Sequence, residues 1–354
     1  MTIKIHYKAH STVAVLAVAL LAAPILASGA RAADFYKGET IQIFVGFGAG
    51  GSYDGYSRLV ARHLGRLIPG QPKIIVSNMP GAGGLKAANY LYKIAPQNGT
   101  ALGVVAEAAA LEQVLGAKGI RFDASKFNWI GRMTATQNLW FSWSTSHAKT
   151  FADVRKRQTI IASSGRGVTA YMPRALNKLA GAKFKIVTGY RGSRDVALAL
   201  ERGEVEVGYG LWSWVKATKK DWIEKKMITP LFLSGDRLAD LPDVLSTTDL
   251  GLSQESQDIL RHLGSTTAVG RSMLTTPNVP ADRVRMLRRS FAALFKDPAF
   301  LATAAKRKME LNSLSGEKLQ KIIANVVATP EALAKKLRAA VKATGKSASR
   351  KSAK

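Results

Sequence analysis

The 354-residue chain contains no cysteine. Disulfides, a thiolate nucleophile and any thiolate-held metal are therefore excluded. Histidine is scarce as well: there are five, and His6 and His10 stand at the very start. The other three, His63, His147 and His262, are far apart and lack the H-x-x-x-H spacing of a metal or catalytic pair. A G-x-S-x-G nucleophile elbow is also missing. Glu204 and Glu206 form a close acidic pair, and no partner motif accompanies them. These absences point to a binding protein that needs no cofactor and no metal, and away from an enzyme. Acids are few overall, 24 against 52 Lys and Arg, giving a net charge of +28.

The first 32 residues read as a secretory signal. Lys4 and Lys8 open the chain, an apolar run follows from Val13 to Leu26, and Ala30-Arg31-Ala32 offers small residues for cleavage. The run is shorter than the roughly 20 apolar residues of a membrane span, and nothing later matches one. Without Lys4, Lys8 and Arg31 the charge is +25, and without the eight bases of 335–354 it is +17. No recognition motif accompanies that charge, so nucleic acid is not the expected partner. The Ser/Ala/Lys-rich end, 344–354, reads as a basic disordered tail. The remaining 320 or so residues exceed one ordinary domain, so two are expected.

From residue 33 onward, short apolar runs alternate with one-faced helical patterns. Strands are expected at 40–47, 73–77 and 101–106, with helices at 53–67 and 85–94 and another ending near 115. After an irregular stretch come strands at 139–143, 159–163, 184–188, 204–209 and 228–233, with helices at 151–157, 169–180 and 194–202. A strand at 266–270 would carry the chain back. Helices then run to the end, with Pro280, Pro298 and Pro330 near their starts, where a missing N–H is tolerated. This order gives an α/β fold with a mainly parallel mixed sheet in each of two units. The expected boundaries are 33–138 plus 265–343 for the first unit and 139–264 for the second.

The chemistry is expected in glycine-rich loops that follow strands and open helices. Gly46-Phe47-Gly48-Ala49-Gly50-Gly51-Ser52-Tyr53-Asp54 is the first. Glycine lets a ligand approach the backbone, and a helix start offers free N–H groups and a positive dipole end to an anion. Ser52 is the expected N-cap, and Asp54 suits the first turn. Gly46-x-Gly48-x-x-Gly51 also matches a dinucleotide fingerprint. However, the second strand ends in Ser77-Asn78, without the acid that would hold a ribose. A nucleotide-binding enzyme is thus the weakest reading. The second loop, Asn78–Gly84, contributes Gly83. In the second unit, Ser163–Thr169 contributes Ser164, Gly165, Arg166 and Thr169, and Tyr190-Arg191-Gly192-Ser193 contributes Tyr190. The candidate ligand-binding residues are Phe47, Gly48, Gly50, Gly51, Ser52, Asp54, Gly83, Ser164, Gly165, Arg166, Thr169 and Tyr190.

In order along the chain these motifs resemble the substrate-binding proteins of tripartite tricarboxylate transporters, the Bug-type periplasmic receptors. Gly50–Asp54 is similar to their P-G-G-x-x-D, Pro80–Gly84 to P-G-A-G-G, and Pro96–Thr100 to P-x-D-G-Y-T-L. Tyr190–Ser193 is similar to Y-K-G-S, Leu241–Val244 to L-P-D-V, and Thr276-Pro277 to the T-P before a helix. Gly48-Ala49, Asn98 and Thr188 depart from that pattern, and Arg166 adds a charge. The resemblance implies a periplasmic flytrap of two lobes that closes on a small carboxylate. Backbone N–H groups around Gly50–Asp54 would hold it from one lobe, and Ser164, Gly165 and Thr169 from the other. The resemblance also implies a monomer that delivers its ligand to membrane transporter subunits, or alternatively to a signalling partner.

Overall fold

The computed structural model describes residues 35–234, 237–342 and 348–349. The expected signal and most of the expected tail lie outside the described residues. Strand β1 (Thr40–Val45) leads to helix α1 (Ser52–Leu64), β2 (Lys73–Asn78) to α2 (Leu85–Lys93), and β3 (Ala101–Val104) to α3 (Ala109–Val114). Parallel pairing of β1 with β2 and β3 is the consequence of these βαβ connections. Strands β4 (Asn128–Thr134), β10 (Arg271–Thr275) and β11 (Leu314–Ser315) add antiparallel pairs, giving the order β11-β4-β10-β3-β1-β2.

The second sheet contains β5 (Asn138–Trp143), β6 (Thr159–Ser163), β7 (Phe184–Thr188), β8 (Val207–Leu211), β9 (Ile228–Ser234) and β12 (Ala348–Ser349). Its order is β12-β7-β6-β8-β5-β9, parallel at β12/β7, β7/β6 and β6/β8 and antiparallel on both sides of β5. Helices α4 (Phe151–Lys156), α5 (Val168–Leu179), α6 (Ser193–Glu201), α7 (Trp212–Thr218), α8 (Lys220–Glu224) and α9 (Gln254–Gly264) belong to this half of the sequence. Four more complete the chain: α10 (Ala281–Leu294), α11 (Pro298–Lys306), α12 (Gly316–Val327) and α13 (Glu331–Val341).

Side-chain alternation divides the core. Ile41, Ile43 and Val45 of β1 join Leu59, Val60 and Phe291 on one face of the first sheet. Phe44 points to the other face, into an apolar cluster that continues through Trp129 to Trp140, Ile161 and Phe232 of the second sheet. Helices α10 and α12 pack on β4, while α13 packs on α5 and α9 beside the second sheet. Lys178 of α5 donates to the Ala339 carbonyl of α13 at 2.9 Å.

Among the differences from the sequence reading, two concern the first sheet. The irregular stretch before residue 139 hides β4, a central strand whose pattern is interrupted by Arg132. That arginine is buried and donates to the Ala268 and Asn312 carbonyls. The strand expected at 266–270 begins instead at Arg271, because Ser265–Ala268 form a 3-10 turn. The β-branched Thr266-Thr267 drew the expectation forward, and Arg271 disguised a fully buried strand as surface. Gly270 makes the junction. Its φ is +55°, and an added Cβ would sit 2.1 Å from the Thr134 carbonyl oxygen. Gly270→Ala is expected to cost at least about 2 kcal/mol from the left-handed backbone and the clash together, read as a lower urea midpoint at unchanged m-value.

Candidate functional site

Loops at the carboxyl ends of β1, β2, β3, β6 and β7, with the last residues of β8, surround one cleft. The antiparallel strands β5 and β10 start at the same edge, which brings in Asn138 and Arg271. Both sheets therefore contribute walls, as expected for ligand sites at such strand ends.

Three helices with glycine at the N-cap begin here without a side-chain cap. Helix α1 has Gly51 at its N-cap, α5 has Gly167, and α6 has Gly192; none has a side-chain cap hydrogen bond. Gly51-Ser52, Gly167–Thr169 and Gly192-Ser193 all line the cleft. An uncapped helix start leaves N–H donors and a partial positive charge to be satisfied by something else. Ser52 was expected to cap α1. It is instead the first helical residue, and its hydroxyl accepts from Arg271.

Asp54 shapes the first loop. Its carboxylate accepts from the Gly50 N–H, from Arg58 and from Asn78, each at 2.9 Å. Burial pushes this carboxyl up, but those hydrogen bonds outweigh it and hold the group below the usual carboxylate range. Asn78, which stands where a ribose-binding acid would be, also donates to the Phe47 carbonyl at 3.0 Å. In the second half, the carboxylate of Glu112, from α3, meets the start of α5. It accepts from the Gly167 N–H at 2.7 Å, the Tyr171 hydroxyl at 2.7 Å and Arg166 at 3.2 Å. Thr169, Ser163 and Ser164 share hydroxyl contacts of 3.0–3.2 Å. Burial pushes the hydroxyls of Tyr53 and Tyr209 above the usual phenol range, so both remain protonated.

Arg271 forms the floor. It is 4 % exposed and lies 3.7 Å above the Tyr53 ring, which stacks on Phe47 at 4.0 Å. It donates to Ser52 Oγ at 3.0 and 3.2 Å and to Glu107 at 2.8 Å. Glu107 is equally buried and also accepts from Thr136 and Asn138.

Of the candidate residues, Phe47, Gly51, Ser52, Gly83, Ser164, Arg166 and Thr169 line the cleft. Gly48 lies on its rim, where its N–H donates to the Arg191 carbonyl at 2.8 Å. Gly50 and Asp54 do not line it and bond to each other within the first loop, the Gly165 N–H donates to Ser163 Oγ, and Tyr190 is 2 % exposed. The sequence reading missed Glu107, Asn138, Ser193, Tyr209 and Arg271. Glu107 had a visible signal, since it is a lone acid inside the apolar run Val104–Ala110. Among the described residues no group of three or more His, Asp or Glu is placed to hold a metal, and no helix is long and apolar enough to cross a membrane.

Residues 57–339 match the model of the tripartite tricarboxylate transporter family receptor. The chain belongs to this receptor family. A UPF0065 protein of Agrobacterium vitis, from the TAR-I ttuE-ttuC' intergenic region, is 31% identical over 198 residues. That match spans 53% of this chain and about half of the relative, 55%. The periplasmic binding protein BugD has the same fold at a TM-score of 0.68 and 16% identity, over 89% of this chain and all of BugD. MatC of Rhodopseudomonas palustris, solved with bound malate, has a TM-score of 0.65 and 16% identity over 86% of this chain and 99% of MatC. Rpa4515 of R. palustris, solved with adipate, gives 0.66 and 20% over 84% and 97%. The two mixed sheets are thus those of a two-lobed periplasmic binding protein, and the chain is a solute receptor of this family.

The hydrogen bonds of Asp54 set a pH expectation. A carboxyl depressed in the folded state contributes stability above its unfolded pKa of about 3.9, lost as pH falls through the folded value. The unfolding free-energy difference between wild type and Asp54→Asn should therefore be largest near neutrality and shrink below about pH 4, as read by urea unfolding across pH.

Proposed function

We propose that this receptor captures a small carboxylate in the periplasm and presents it to the membrane subunits of a tripartite tricarboxylate-type transporter, without catalysing a reaction. The observation that carries this reading is the meeting of three uncapped helix starts, from two sheets, at one cleft. A carboxylate there accepts from N–H groups of both lobes at once, which favours the closed pair over the open one. The malate and adipate of the two R. palustris proteins belong to the same chemical class.

The proposed mature chain begins near Ala33 after removal of 1–32, and it acts as a monomer. We place the first lobe at 35–137 plus 271–328 and the second at 138–264 plus 331–341. The basis is the sheet to which each strand belongs and the packing of α13 on α5 and α9. This boundary moves α13 out of the first lobe, where the sequence reading had put it. The chain then crosses between lobes three times, a hinge of several strands.

Mature protein should be stabilised by one or a few acids in a thermal-unfolding screen of carboxylates, amino acids, sugars and nucleotides. A ligand at 100 times its Kd adds about 2.7 kcal/mol, a shift of several degrees for this chain length. Gly51→Val, whose added Cβ would sit 3.5 Å from the Ser193 amide nitrogen, should abolish that shift while the protein stays folded. Stabilisation by a nucleotide and by no acid would overturn the reading.

A further inference from the structure

We infer that Arg271 is the specificity-determining residue of the cleft and that, together with Glu107, it restricts the bound head group to a single negative charge. The inference rests on the carboxylate-receptor reading and concerns how that site discriminates. A guanidinium has five N–H groups. Three of Arg271's are used, two on Ser52 Oγ and one on Glu107. Two remain, on a side chain 5% exposed that lines the cleft. Unpaired donors of a buried cation are costly, so these two mark the place of an anionic acceptor. Ser52, where Arg271 docks, opens α1, so the same acceptor also meets the N–H groups of that helix start.

Charge balance then sets the limit. Three charged side chains line the cleft: Arg271, Arg166 and Glu107. Arg166 is paired with Glu112, and Arg271 with Glu107. The two ion pairs leave no net charge, so an incoming anion is held by dipoles and by the open edge of Arg271. One carboxylate suits such a place. A head group with two charges meets Glu107 on the same guanidinium, without a second cation to offset it. Tyr53 covers one face of Arg271 and fixes its plane, a geometry that a lysine cannot reproduce.

The test is calorimetric binding of malate, adipate, citrate and glycerol phosphate to mature wild type, Arg271→Lys, Glu107→Gln and the double variant Arg271→Met/Glu107→Met, each confirmed folded by urea unfolding. Wild type should bind an acid and reject glycerol phosphate, which carries about two charges at neutral pH. Arg271→Lys should weaken the acid by roughly 10- to 100-fold, the worth of charge-assisted hydrogen bonds. Glu107→Gln keeps the shape of the acid and should admit glycerol phosphate. The double variant removes both charges without leaving an unpaired one, and it should stay folded but not bind. Wild-type affinity in the double variant would show the pair to be structural and would overturn the assignment. Continued rejection of glycerol phosphate by Glu107→Gln would overturn the charge limit. If wild type binds none of the acids, the carboxylate reading itself fails, and the inference with it.

Discussion

A buried helix start must find acceptors for its first N–H groups, and this constraint organises the molecule. The usual solution is a Ser, Thr, Asp or Asn side chain at the N-cap. The protein uses it away from the cleft: Thr150 caps α4, Ser253 caps α9, Asp297 caps α11 and Ser315 caps α12. At the cleft, glycines stand at all three N-caps instead. Glycine at these three N-caps leaves no side chain in the way of an oxygen that approaches the helix start. Other glycines of the same loops allow them to touch, since Gly48 reaches the Arg191 carbonyl and Gly83 leaves room for Arg166.

The protein's own carboxylates fill the positions that the ligand does not take. Asp54 satisfies Gly50 and folds the first loop on itself, Glu112 satisfies Gly167 at the start of α5, and Glu107 neutralises Arg271. Each is 5% exposed or less. A buried carboxylate is tolerated only with several good hydrogen bonds, and each of these has three. The high positive charge of the chain thus does not accumulate in the cleft. It sits on the exterior, where Arg285, Arg289 and Lys296 are exposed.

Much of this was legible in the sequence because periodicity and glycine placement are local signals. The strand–loop–helix units at 40–67, 73–94 and 159–180 followed from apolar alternation and one-faced helices. The loops at Gly50–Ser52, Gly83 and Ser164–Thr169 followed from glycine beside hydroxyls. What escaped were polar residues buried through distant partners. Arg132 broke the pattern of β4, and Arg271 that of β10, because a sequence window cannot show Asn312 or Glu107 waiting at the other end of a hydrogen bond. Arg166 was visible as an added charge, but its use by Glu112, 54 positions earlier, was not. The packing of the last helix was hidden for a related reason: the apolar face of α13 shows that it packs, not that α5 and α9 receive it.

Glu112 carries a consequence for the proposed closure. It stands on α3, after a strand of the first sheet, yet its acceptors serve Arg166, Gly167 and Tyr171, which belong to the second. Opening the cleft would expose this carboxylate together with the start of α5, and water would replace the three hydrogen bonds. Such exchanges are nearly balanced, each bond being worth on the order of 1 kcal/mol net. Lys216 on Glu310 and Trp214 on the Gly50 carbonyl bridge the same two halves near the surface, where their worth is smaller still. Each of these polar contacts therefore resists separation of the two halves only weakly. On the proposed reading, a carboxylate that satisfies helix starts on both sides would then shift the population toward the closed form by as much as its affinities for the two forms differ.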